Sequence, residues 1–110
     1  MNPMNQFYVR LKTAVCRHMQ VDEQSIFHSN KERCVDARYV LVSVLSEFFT
    51  DDEVADFCGM SRTGVNKIRN RFRIRMRKLS FRCHYTEARM EADSIAADTF
   101  TSAVNEKPMP

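Results

Sequence analysis

Apolar positions recur along this chain at spacings of three and four, so the pattern predicts helices through most of its length. Between Asn5 and Gln20 the stripe is Phe7, Leu11, Ala14, Val15 and the His18/Met19 step. Asp22 is then placed to cap a short helical turn that sends Ile26 and Phe27 inward, and Ser29-Asn30 reads as a loop. A long apolar helix is expected from about Glu32 to Phe49, with Val35, Tyr39, Val42, Leu45 and Phe49 on one stripe and Val40, Leu41, Val44 and Phe48 widening it. A stripe that broad predicts a helix enclosed on more than one side, the central post of the fold. Its β-branched residues keep a strand in competition, but eighteen residues without a turn signal exceed a typical strand.

The next segment is punctuated locally. Thr50, with Glu53 three residues on, forms a capping box, and Asp51 and Asp52 complement the positive end of the helix dipole. Gly59 can take the left-handed conformation that stops a helix, and Ser61 can cap another. From Arg62 this second helix carries Val65, Ile68, Phe72, Met76 and Leu79 on one face. The stretch RFRIRMRKLSF also alternates as a strand would, yet the spacing from Phe72 through Met76 to Leu79 continues the helical frame. A break is expected between Ser80 and His84. Thr86 then precedes a last helix with Ala88, Ala92, Ile95, Ala96 and Phe100 inward, and residues 101–110 read as a flexible tail.

With 110 residues, 44% apolar content and eight Phe, the chain has enough material for one all-α domain over residues 1–100. Two Gly, and three Pro confined to positions 3, 108 and 110, leave little punctuation for sheets or hairpins. Four scattered Cys, no N-terminal signal segment and no apolar run of bilayer length predict free thiols in a reducing cytoplasm and no membrane partner.

Charge changes the picture. Residues 57–86 hold nine Lys or Arg and no acid, whereas residues 1–56 and 87–110 are each net −3. A solvated helix face interleaves both signs, so an acid-free run implies an anionic neighbour. Counting Asp51 as the first position of a helix-turn-helix, Val54 falls at the fourth, Ala55 at the fifth, Gly59 at the ninth, Val65 at the fifteenth and Ile68 at the eighteenth. Each has a mechanical role: a small Ala where the second helix crosses closely, a Gly for the turn, and two aliphatic anchors. The motif, over about residues 51–78, predicts double-stranded DNA as the partner. Its second helix would offer Ser61, Arg62, Thr63, Asn66 and Lys67 to base edges, Arg62 suiting guanine and Asn66 adenine. Arg69, Asn70, Arg71 and Arg73 complete the DNA-facing set; the arginines turn through most of a circle, so some must hold flanking phosphates. Arg62 and Asn66 read equally well as plain solvent-facing residues.

Residues from about Val15 to Arg71 resemble the C-terminal duplex-binding domain of the bacterial replication initiator DnaA, domain IV, whose fold is related to that of the Trp repressor. The order of features agrees: a short helix with a buried Ile, a basic loop, a long aliphatic helix opened by an Arg, then the helix-turn-helix. The resemblance implies that Lys31 and Arg33, in the loop, reach a minor groove, and that Arg38 holds the place of the family's Arg at the start of the long helix. Cys58, Gly59, Met60, Ser61, Arg62, Thr63, Gly64 and Val65 stand against the family's Gly-Gly-Arg-Asp-His-Thr-Thr-Val; the turn Gly, Thr63 and Val65 agree. Met60, Ser61, Arg62 and Gly64 depart where that family reads bases, so the resemblance implies the fold and not the family's DNA site. No Gly-rich phosphate loop is present, which points to a stand-alone, nucleoid-associated relative in replication initiation or transcription regulation, without ATPase activity.

Other functions have less behind them. Cys16 and His18, or Cys83 and His84, lack ligand spacing for a metal, and Cys58 sits at an apolar motif position as a small core residue. No nucleophile, base and orienting carboxylate can be tied together, so neither an enzyme, a cofactor nor a small-molecule substrate is expected. A protein-binding module and an RNA binder are the competing classes. The last helix, with its small inward residues and acidic flank, is open to two readings: a homodimer surface or a brace over the basic helix of its own domain.

Overall fold

The computed structural model describes residues 2–105, with side chains through residue 101, and places five helices in them. These are α1 (Pro3–Met19), α2 (Glu32–Leu45), α3 (Asp51–Cys58), α4 (Arg62–Arg75) and α5 (Leu79–Asn105), with no strand among the described residues. The Asn2 side chain accepts from Asn5 N at 2.8 Å and Pro3 opens the first turn, so α1 begins at the position its sequence favours.

α2 is the post. Cys34, Asp36, Ala37 and every residue from Tyr39 to Leu45 are buried, because α1, α4 and α5 all pack on it. α5 also lies along α1, the most extensive helix pair, and its 27 residues at 1.5 Å each span about 40 Å of a molecule 51 Å long. Phe7 sits at the hub of a ring cluster: its centroid is 4.9 Å from Phe48, 5.6 Å from Phe49 and 5.6 Å from Phe100.

Several expected boundaries move. The segment after Asp22 forms hydrogen-bonded turns, not a helix, though Ile26 is fully buried as expected. His18 is exposed beside buried Met19. α2 stops at Leu45, four residues before Phe49. There the bonds tighten to the third residue back, Glu47 N to Val44 O and Phe48 N to Leu45 O at 3.0 Å, and the chain folds both phenylalanines onto Phe7.

The break expected between Ser80 and His84 falls at residues 76–78. α5 therefore starts at Leu79, not after Thr86, and this changes which side chain enters the core: Leu79 is 64% exposed and Phe81 is fully buried, 6.2 Å from the Phe72 ring. Ala88, Ala92 and Ile95 are buried as the inward face of α5, covered by the same chain. That face packs on α1 and α2 of the same chain, and α5 meets the basic helix α4 chiefly where Phe81 and Tyr85 reach Phe72, so its cover differs from a brace over the basic helix. Helix α5 is continuous to Asn105, so part of the expected tail is helical; residues 106–110 lie outside the described residues.

Candidate nucleic-acid interface

α3 and α4 are set against each other by three local devices. The Thr50 side chain accepts from Glu53 N at 3.3 Å while Glu53 Oε1 accepts from Thr50 N at 3.0 Å, closing the capping box. Gly59 stands at φ 64°, a conformation that favours glycine, and its N–H returns to Ala55 O. Ser61 Oγ then accepts from Gly64 N at 3.0 Å and starts α4. Val54, Ala55 and Cys58 of α3 and Val65 and Ile68 of α4 are buried between them and α2, with Phe72 and Met76 half-buried beyond.

The remainder of α4 faces solvent. Ser61, Arg62, Thr63, Lys67, Arg69, Asn70, Arg71 and Arg73 are exposed, and Asn66 is half-buried at the edge. At 100° per residue, Thr63, Lys67, Asn70 and Ile74 form the stripe opposite Val65 and Ile68. Ile74, 64% exposed, was not singled out in the sequence, although its phase with Thr63, Lys67 and Asn70 carries the signal.

The structure divides the basic run. Arg69 pairs with Asp51 at 2.6 Å. Arg75 meets Asp36 at 2.6 Å and lies 4.1 Å from the Tyr39 ring centre, while Lys78 reaches Glu32 at 2.6 Å and Asp36 at 3.0 Å. Their hydrogen bond holds the Glu32 carboxyl below its usual range and the Lys78 ammonium above its own. Arg62 has only a loose contact with Asp52, 3.7 Å between two exposed side chains. Lys67, Arg71, Arg73 and Arg77 have no acidic partner among the described residues.

Lys31 and Arg33 are exposed at the start of α2, beside the C-terminal end of α4 that Glu32 and Asp36 hold. They are not gathered with Arg62, since the two ends of α4 stand about 20 Å apart at 1.5 Å per residue. Arg38 is half-buried and already engaged: Nε donates to Ile26 O at 2.9 Å and Nη2 to Ser29 O at 2.8 Å, clamping the loop that leads to Lys31. Its place in the structure is that of a loop anchor.

Cys58 is buried as expected, and burial pushes its thiol up to about 12. Among the described residues no three His, Cys, Asp or Glu converge as metal ligands, and no helix is long and apolar enough to cross a membrane. Compared with family models, with characterised proteins and with solved structures, the chain has no significant match in any of the three.

Proposed function

We propose that this protein binds double-stranded DNA, as a binding protein and not an enzyme, with α3 and α4 serving as a DnaA-like, Trp-repressor-like helix-turn-helix. The observation that carries the reading is the set of cations on α4 and its C-terminal turn without an acidic partner among the described residues, Lys67, Arg71, Arg73 and Arg77, beside a stripe with no acidic residue. Four like charges held on one element without counter-charges repel one another, and a phosphate backbone relieves that repulsion.

In this arrangement the outer side of α4 lies in the major groove. Ser61, Arg62, Thr63, Asn66, Lys67 and Asn70 face base edges, and Ile74 supplies an apolar contact suited to a thymine methyl. Arg71 and Arg73 hold phosphates on the flanks, and Arg69 does so to the extent that Asp51 leaves its guanidinium free. Lys31 and Arg33 contact the backbone or minor groove at the other end of α4, on a loop that Arg38 keeps in place. A role in replication initiation or transcription regulation in the bacterial nucleoid is the biological setting that the DnaA resemblance suggests, by fold-level analogy.

The test is selection of bound duplexes from a random pool, followed by Arg62→Ala, Asn66→Ala and Asn70→Ala on the selected site. Loss of a bidentate base contact should cost roughly 1–3 kcal/mol there and leave scrambled DNA bound as before. A pool that yields no preferred sequence, or tighter binding to RNA or single strands of equal length, contradicts the assignment.

A further inference from the structure

α1 and α5 run antiparallel: Arg10 reaches Asp98 at 2.5 Å, while Arg17 and Glu91 line one groove further along the seam. Two grooves, of about 300 and 340 Å³, open along the outer side of this pair and share Glu91. Two of the four exposed large apolar side chains among the described residues flank them, Val9 (44%) at one rim and Met90 (68%) at the other. This is not the side of Ala88, Ala92 and Ile95, which is buried in the chain's own core. α4 packs on α2 and α3 and lends no residue to either groove.

Charge decides the occupant. At 100° per residue, Arg10, Thr13 and Arg17 form one row on α1, and Glu87, Glu91 and Asp98 form the neighbouring row on α5. Arg17, Glu87 and Glu91 have no ion-pair partner among the described residues. A partner of one sign would gain from one row and be repelled by the other. A second copy suits both. A two-fold axis along the seam lays the α1 row of each copy on the α5 row of the other, so that four helices form an antiparallel bundle and the rims close over Val9 and Met90. Because that axis runs parallel to the helices each residue keeps its level, and Arg17 faces Glu91 of the second copy. The footprint is about 25 Å, the length of the 17 residues of α1, by about 20 Å for two helices. That is about 500 Å² per copy, the small end for a specific interface, which suits reversible association.

We infer that the outer side of α1 and α5 is the interface of a reversible two-fold homodimer, with Arg17 of each copy against Glu91 of the other. The interface stands or falls independently of whether α4 meets DNA; where it does, the dimer carries two copies of α4 and selects inverted repeats. The test is sedimentation equilibrium of the full chain without DNA at low ionic strength. It should show monomer and dimer exchanging with a dissociation constant of about 10–100 µM. Arg17→Glu and Glu91→Arg each set like charges opposite one another at both symmetry-related contacts, and each should weaken the dimer at least about tenfold. Mixed in equal amounts, the two variants should restore it, since every reversed charge then faces its opposite, and the restored mass shows that both are folded. Met90→Asp, at an exposed position, should weaken the dimer as well and serves if either reversal unfolds the chain. A monomer at about 500 µM, a dimer that the folded variants leave unchanged, or a mixture of folded variants that stays monomeric overturns the inference.

Discussion

α2 and α4 both run for 14 residues, yet ten side chains of α2 are buried and only two of α4. The difference separates two ways of using a helix. α2 is held by area: Val40, Leu41, Val42, Val44 and Leu45 are fully buried, each contributing about 1.5–3 kcal/mol relative to exposure. α4 is held by two aliphatic anchors near its start and by ion pairs to α2 at its end, which leaves the side between them unengaged. A helix fixed at both ends with a free basic face is suited to presenting that face to a partner.

The largest effect should come from the post. Leu41→Ala should cost about 2–5 kcal/mol in urea unfolding, for the cavity left at a fully buried position, whereas Arg71→Ala should stay within about 0.5 kcal/mol. Comparable losses from both would mean that α4's outer side is part of the packing.

The ion pairs come next. Asp36→Ala should destabilise by about 1–2 kcal/mol, because Asp36 is nearly buried and serves both Arg75 and Lys78, whose own partial exposure limits the penalty. Asp52→Ala, against an exposed Arg62 at 3.7 Å, should be nearly silent. At the turn, Gly59→Ala should cost about 1–2 kcal/mol through the left-handed backbone alone, since nothing lies within 4 Å of the added carbon.

The thiols report the same contrast without altering stability. Cys83 is exposed, while Cys16, Cys34 and Cys58 are buried, and burial pushes the Cys16 thiol up to about 11. Brief alkylation near neutral pH should therefore give a single adduct at Cys83 by mass spectrometry. An equally fast adduct at Cys58 would show α3 leaving the core.

The smallest expected effect is on pH dependence. The lowered Glu32 carboxyl contributes fully above its unfolded value of about 4.3 and loses the contribution as pH falls through its folded value. The raised Lys78 contributes fully below about 10.4 and loses it as pH rises through its folded value. Stability should be insensitive to this exposed pair in between, and Glu32→Gln should soften the acid limb and, by taking a partner from Lys78, part of the alkaline limb as well.

These contrasts also separate what could be read from the chain. Thr50 with Glu53, Gly59 and Ser61 were legible because caps and turns are decided within four residues. The enclosed character of α2 was legible from the width of its stripe. The end of α2 and the start of α5 were not: Phe49 and Leu79 continue the helical period, and no Gly or Pro marks either break. Long-range packing decides both, through Phe7 in one case and Phe81 in the other. The pairing of Asp36 with Arg75, 39 residues on, was hidden for the same reason, so the run of nine basic residues looked freer than it is.

The central claim is that α4's free side enters a duplex, with the arginines on its flanks against the phosphate backbone. It is tested most directly by the salt dependence of duplex affinity for the full chain and for the Arg71→Ala/Arg73→Ala double variant. The four cations of α4 and its turn that have no acidic partner among the described residues, with Lys31 and Arg33 beyond them, predict a slope of log affinity against log salt of about −3 to −5, falling in magnitude by about 1.8 in the variant at about −0.9 per phosphate contact. A flat response in the parent, or an unchanged slope in the variant, would contradict the account.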